Sequence, residues 1–414
     1  MTVALLKYYE RNQQKSQTKF MKTGYSIRTW RMRLVCPEPI WLDRTEEYFQ
    51  NVVEFYYHLL RQHEELWNSS LFDIQRSLEL LTLTGRDGRQ PTNPLPMGKV
   101  PVYLRRAAIN KASATVKSTQ ELQSGFPEKL EAKVTFFKGM YSDLTDRSIC
   151  LKLWNGEKWI WTDCKLKGRP FPQDGQLMSP TLVKEGRRYL LNIPVKQENS
   201  DARTAKERMA EGTNLCSVRF TNTDTFAVCC ILDEQGKQLA VHNCRGGDAY
   251  RHRCKLLETR IQKSRPNTVG DNSPQPNRKY YMHLKNLSEH YAHQVSREIL
   301  NFCKENQAGI IVLPNYEQNF TRMAMVKSGN FSPLHLSSKI RTNLQYKAWA
   351  EGILVLETRT DGLKDKCAIC GGKVRRKGNE FLCENGHQGN RFLNDARNLG
   401  RKCQDSFFRG SRTK

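Results

Sequence analysis

Four residues near the C-terminal end constrain this chain most: Cys367-x2-Cys370 and, after a basic stretch of twelve residues, Cys383-x3-His387. Three thiolates and an imidazole at this spacing fit one tetrahedral, structural Zn²⁺, each pair being presented on a tight turn. Unrelated reduced cysteines are the competing explanation, but a four-ligand pattern is more specific than that. His387 is the ligand least fixed by the pattern, because Gly386 stands where a second Cys-x-x-Cys would end. The segment 365–388 is therefore read as a zinc knuckle.

Charge says what surrounds it. In 414 residues there are 67 Lys and Arg against 42 Asp and Glu, a formal charge of +25. Such an excess points to a polyanionic partner. The sequence has no long apolar span and no secretory leader, so nucleic acid, not a membrane surface, is the partner expected. Thirteen cysteines, an odd number scattered through a large chain, fit a reduced cytoplasmic protein of the nucleoid better than a disulfide scaffold.

The length allows two or three domains. Residues 1–22 are polar and basic and read as a flexible leader. Residues 23–37 hold a strand in which Trp30, Met32 and Leu34 alternate with Arg31 and Arg33. Residues 38–125 are helical: Phe49, Val52, Val53, Tyr56, Leu59 and Leu60 follow a helical period, Asn68-Ser-Ser caps a second helix, and a third begins at Val102. Residues 126–212 switch to strands (133–138, 148–154, 158–162, 189–193) and end in a polar linker from 199. With 23–37 they are read as one small β-barrel interrupted by the helices. Trp154, Trp159 and Trp161 are assigned to its core in preference to base stacking. Beyond 213 come three short strands, a basic run over 245–265, a long amphipathic helix from Tyr280 to Asn306, and a continuous apolar strand from Ala308. Expected phosphate contacts are Arg28, Arg31 and Arg33 on the first strand and Arg105, Arg106 and Lys111 on the third helix. Arg251, Arg253, Lys255, Arg260, Lys263 and Arg265 extend the set through the basic run.

The residues after the knuckle add a resemblance. Arg391-Phe-Leu-Asn-Asp-Ala-Arg-Asn398 is similar to the last RuvC motif of TnpB transposon proteins and their type V CRISPR descendants, where a zinc knuckle runs into Asp-x-Asn-Ala-Ala-x-Asn. Asn394, Ala396 and Asn398 stand in register. Leu344 to Val355 also resembles the family's Tyr-Lys…Gly-Ile-x-Val unit, His293 and Ser296 its His-x-x-Ser pattern, and 245–265 its arginine-rich bridging helix. A structural role is assigned to His293 and to His290 nearby.

The resemblance implies a multidomain protein, α/β plus α+β. It would have an RNase H-like (RuvC) domain over 213–364, its last motif and a basic tail over 389–414, an inserted zinc knuckle, and a wedge-type β-barrel interrupted by a helical recognition domain. It also implies three catalytic carboxylates, and here the chain departs from it. The three positions carry Phe220, Pro314 and Phe392. None offers an oxygen ligand to Mg²⁺, so no catalytic Mg²⁺ and no nuclease activity are expected. The implied function is RNA-guided binding and opening of double-stranded DNA beside a short adjacent motif, with guide RNA and target DNA as partners. Transposition or transcription proteins would be further partners. The alternative is an endonuclease with displaced ligands, Asp224, Glu317 and Asp395; an RNA-only binder is a third reading.

Overall fold

The computed structural model describes residues 24–409 apart from 86, 123, 173, 265–276 and 316–332. Arg265 and Glu317 lie outside the described residues. The chain divides into two compact units, Ile27–Gln197 and a second comprising Glu198–Lys414 with the residues before Ile27.

In the first unit, β1 (Tyr25–Val35) buries Met32 and Leu34 and exposes Arg31 and Arg33, as its alternation requires. Pro39 opens helix α1 (Pro39–Gln62), where its fixed φ suits a first turn. The helix buries Phe49, Val52, Val53, Tyr56, Leu59 and Leu60. Helix α2 (Leu71–Thr82) is capped by Ser70, whose hydroxyl accepts from the Asp73 amide at 3.2 Å. Helix α3 (Val102–Leu122) follows.

The strands are β2 (Tyr141–Ser142), β3 (Ser148–Trp154), β4 (Trp159–Lys167), β5 (Gln176–Leu177), β6 (Thr181–Glu185) and β7 (Arg188–Glu198). They form a seven-stranded sheet in the order β2-β3-β4-β1-β7-β5, with β6 also on β7. Asn155 and Gly156, the latter at φ +112°, make the turn between β3 and β4. Residues 133–138 differ from expectation: no strand forms there, and their ladder contact is an isolated bridge, Thr135 to Thr181. Helices and sheet share one buried cluster, from Val52 and Ile109 to Leu151 and Ile193. Trp161 corrects its core assignment. It is exposed, with Lys152 over its ring, whereas Trp154 and Trp159 are half-buried against Tyr48.

The second unit begins where a polar linker was expected, and the linker is partly helix. Thr204 and Glu207 form a reciprocal capping box around α4 (Ala205–Ala210). Its Arg208 is fully buried, donating to the carbonyls of Gly309 (2.7 Å), Gly352 (2.6 Å), Asp201 (2.7 Å) and Arg203 (3.2 Å). Hydrogen bonds from Arg203, with a smaller attraction from Arg208, hold the Asp201 carboxyl down at about 2. Removing Arg208 leaves four carbonyl acceptors without their donor, while the Asp201 carboxylate keeps Arg203. Arg208→Met should lower stability by roughly 3–5 kcal/mol, read from denaturant unfolding; a loss below about 1 kcal/mol would show that the buried network does not brace the sheet.

Next come β8 (Asn214–Phe220), β9 (Ala227–Leu232), β10 (Gln238–Cys244), α5 (Gly247–Lys263), α6 (Arg278–Glu305), β11 (Ala308–Asn315), α7 (Leu336–Trp349) and β12 (Leu354–Arg359). The five strands pair in the order β10-β9-β8-β11-β12. The first three form an antiparallel meander, and β11 runs parallel to both β8 and β12. One sheet face packs on α5, α6 and α7 through residues such as Phe226, Tyr250, Ile299 and Ile340. The other face meets α4 and the last helix, α8 (Arg391–Arg409), through Leu215, Ile310 and Leu399. Between β12 and α8 lies a small sheet of β13 (Val374–Lys377), β14 (Glu380–Cys383) and β15 (Gln388–Asn390). All thirteen cysteines are free thiols. Among the described residues no helix is long and apolar enough to cross a membrane.

Candidate metal centre and nucleic-acid interface

Two tight turns bring the four sulfur and nitrogen ligands together. The first closes by hydrogen bonds from the Gly371 amide to the Cys367 carbonyl and from the Cys367 amide to the Gly372 carbonyl, both 2.8 Å; Gly371 has φ +77°. The second closes from the Cys383 amide to the His387 carbonyl at 2.7 Å. Gly386 sits at φ +83°, a backbone state that disfavours a cysteine there, so the imidazole one residue later completes the set. The ligand atoms of Cys367, Cys370, Cys383 and His387 all lie within 4.8 Å of one another and could hold a metal ion.

The surroundings fit an ion. The Nδ1 of His387 is buried without a hydrogen-bond partner. The amides of Ile369 and Asn385 donate to the sulfurs of Cys367 and Cys383, both at 3.4 Å, which favours thiolates. The Asn385 side-chain amide does the same for Cys370 at 3.3 Å and draws its thiol down to about 6. A second group, His242, Cys244 and Glu298, also brings its ligand atoms within 4.8 Å, although His242 Nε2 and Glu298 Oε1 already bond each other at 2.6 Å.

Helix α8 anchors the first turn. Asn394 accepts from the Ala368 amide at 2.8 Å and donates to the Lys366 carbonyl at 2.9 Å. Asn398 donates to Leu363 and Lys366 carbonyls at 3.1 and 2.8 Å. Ala396 is fully buried beneath them.

At the start of α8, Phe392 and the end of β8, Phe220, line one pocket of about 350 Å³ with Arg219, Lys364, Arg376, Arg391 and Asp395. Pro314 does not join them; it is buried in β11, opposite Thr358 of β12. Asp395 is only 3 % exposed and is gripped by Arg219 Nε at 3.2 Å and by both terminal nitrogens of Arg376, at 2.5 and 3.4 Å. Asp224 lines a neighbouring pocket of about 710 Å³ that shares Asn222 and Phe392 with the first. Its Oδ1 accepts from the Asp248 amide in the first turn of α5. Asp395 is thus occupied by guanidiniums, whereas Asp224 accepts one helix-start amide.

The basic candidates separate. On α5, Arg253, Lys255, Arg260 and Lys263 are exposed, and Arg251 is exposed while pairing with Asp248. Arg31 pairs with Glu185, Arg33 is exposed, and Arg28 is half-buried on the opposite strand face from both. Lys111 is exposed. Arg105 was expected to be surplus to packing and is not. It is 7 % exposed and bonded to Glu79 at 3.1 Å, a carboxylate that Arg106 shares at 3.1 Å, so it latches α2 to α3. Lys347 donates to the backbone carbonyl of His293 (3.0 Å) and to the hydroxyl of Ser296 (2.7 Å), which is buried, while the His293 side chain is exposed. Burial lowers the Lys347 ammonium to about 8. The residues that sequence reasoning missed are Arg219, Lys364, Arg376 and Arg391. They are scattered along 170 residues and share no spacing that marks a site.

Residues 26–155 match the Aq_aa04 family. Among curated proteins, no sequence matches this chain. Solved structures with a similar fold include the protein of a Cas12f1-sgRNA-target DNA complex (12 % identity, 91 % of this chain and 99 % of that one, TM-score 0.52). A second is the mini-RNA-guided endonuclease CRISPR-Cas_phi3 (9 % identity, 91 % and 92 %, TM-score 0.52). The chain is thus a mixed α/β, multidomain protein whose fold resembles those of these two proteins.

Proposed function

We propose that this chain is an RNA-guided DNA-binding protein that does not cut its target. In this reading the five-stranded sheet with its flanking helices is a RuvC-like domain, 365–388 is a zinc knuckle, and the seven-stranded sheet is the wedge-type domain. The similarity of fold to a protein seen with guide RNA and target DNA supports those two partners for this chain. The exposed basic face of α5 suits phosphodiester backbones of either. Guide pairing would then carry sequence recognition, while the protein reads backbone shape and a short motif beside the target.

The observation that carries the absence of cleavage is the pocket around Phe220 and Phe392. A two-metal site needs several oxygen ligands converging within a few ångströms. Among the described residues the one carboxylate here, Asp395, is already paired with two arginines, and four cations line the pocket with it. Occupancy would be the output, through blocked transcription, recruitment of a transcription protein, or marking of a site for transposition.

RNA that copurifies with the chain, once sequenced, supplies the guide for the test. The complex should bind a matching duplex tightly and a scrambled duplex only weakly. Replacing Arg253, Lys255, Arg260 and Lys263 with Glu should remove the RNA, because repulsion replaces phosphate contacts. Equal binding of matched and scrambled duplexes would rule out guide-directed recognition.

A further inference from the structure

We infer that His242, Cys244 and Glu298, where β10 meets α6, form a second metal site that takes a zinc-like divalent cation through one nitrogen, one sulfur and one oxygen. The site is separate from the knuckle and from the basic face of α5, so it stands whether or not the chain binds a guide.

Strand alternation places the first two ligands. His242 and Cys244 are two residues apart on β10, so both project from one face of the sheet, the face on which α6 packs. Glu298 comes from α6 itself. The three ligand atoms lie within 4.8 Å of one another, a span that one ion can bridge. Phe302 stands one helical turn beyond Glu298, and its ring lies against the His242 imidazole, with centroids 5.3 Å apart and planes at 33°. That packing fixes the imidazole plane, and Nε2 meets Glu298 Oε1 at 2.6 Å.

An ordinary histidine–glutamate pair is the competing explanation, and sulfur decides against it. Such a pair at a half-exposed edge has no need of a thiol, yet the fully buried Cys244 brings its sulfur within reach of both partners. Cys229 stands directly opposite His242 in the ladder, and its sulfur is hydrogen-bonded to those of Cys244 and Cys216. With Cys244 as a thiolate ligand, the Cys229 thiol can donate to it. The knuckle sulfurs of Cys367 and Cys383 receive the same support from backbone amides.

The donor set selects the ion. Thiolate and imidazole favour Zn²⁺ and disfavour Mg²⁺, which demands oxygen ligands in octahedral array. His242 and Glu298 are 36 % and 32 % exposed, which gives an ion its way in and leaves the fourth position to water. One thiolate replaces the three of the knuckle, and the His242–Glu298 hydrogen bond must part. The site therefore holds its ion more loosely and fills from added metal once the knuckle is full. Bound there, the ion would bolt β10, an edge strand of the five-stranded sheet, to α6.

The test titrates full-length, zinc-loaded protein with Co²⁺ under a non-thiol reductant, because thiolate-to-cobalt charge-transfer absorption reports sulfur ligation. Wild type should bind about one further Co²⁺ per chain. Its band should be weaker than that of a Co²⁺-loaded knuckle, and added Zn²⁺ should bleach it. Glu298→Gln keeps a hydrogen-bond acceptor for His242 but loses the charged ligand. This variant and His242→Gln should each weaken Co²⁺ binding about a hundredfold, at least what loss of a supporting group costs. Cys244→Ser should remove the band. Added Zn²⁺ should also slow hydrogen exchange across 238–244 in wild type and not in Glu298→Gln. Metal-free exchange in that half-exposed variant, compared with wild type, guards against a folding defect. No additional band in the zinc-loaded wild type overturns the site, as does a band unchanged in Glu298→Gln and His242→Gln. A band that survives Cys244→Ser overturns the assigned sulfur ligand. Each of these results leaves guide-dependent DNA binding, measured with matched and scrambled duplexes, to stand or fall separately.

Discussion

Freshly purified, reduced protein should carry about one zinc per chain, and Cys367→Ser/Cys370→Ser should carry none and lose its order over 365–409. The size of the effect follows from what the ion replaces. The segment around the ligands has a very small core, Cys367, Phe381 and Cys383 with Val374 beside them. A structural zinc contributes roughly 10–16 kcal/mol of apparent binding free energy at neutral pH, far more than so few apolar side chains. Loss should spread into α8, because Asn394 and Asn398 hold the backbone at Leu363, Lys366 and Ala368 and would have nothing ordered to hold. Elemental analysis reads the metal, and limited proteolysis between Lys364 and Lys377 reads the order. Absence of zinc from the wild-type chain would sink the metal assignment. A stoichiometry near two would direct attention to His242, Cys244 and Glu298.

That prediction was legible in the sequence because metal-ligand spacing is local: two residues between one pair and three between the other dictate a turn each. The helices were legible for a similar reason, since Phe49 through Leu60 repeat with the period that buries one face. What stayed hidden depends on partners far away in the chain. Arg105 on a basic helix looks like a free cation until Glu79, 26 residues earlier, is seen beneath it. Asn394 and Asn398 could be aligned to a motif, yet the sequence does not say that their bonds go to backbone around Lys366 and not to a catalytic centre. The short helix at 205–210 was different. Thr204-Ala-Lys-Glu207 is a capping-box pattern that local reading could have found, and the polar composition around it hid the signal. The cluster of Arg219, Lys364, Arg376 and Arg391 was out of reach altogether. It is assembled by β8, the approach to the metal turn, β13 and the start of α8, and no periodicity links them.

The same cluster bears on catalysis. Supplied with its RNA, a matching duplex and Mg²⁺, the protein should bind and open the target while leaving both strands intact. Two bound cations would ordinarily deprotonate the attacking water and neutralise the pentavalent phosphate. Losing a single electrostatic element of that kind costs roughly 3 kcal/mol, so losing two or three should slow cutting by about 10⁴- to 10⁶-fold. Arginines can steady a phosphate, but they cannot generate hydroxide from water at neutral pH. Testing for a displaced site needs care with Asp395. Its removal would leave Arg219 and Arg376 without their buried counter-charge and cost roughly 3–5 kcal/mol of stability by that route alone. Asp224→Ala is the cleaner control, because Asp224 is half-exposed and its carboxylate accepts only the Asp248 amide among the described contacts. It should leave binding unchanged and produce no change in a gel that already shows uncut strands. Mg²⁺-dependent products from the wild-type complex that vanish in Asp224→Ala would reveal working carboxylates in the larger pocket, and the non-cleaving assignment would then be wrong.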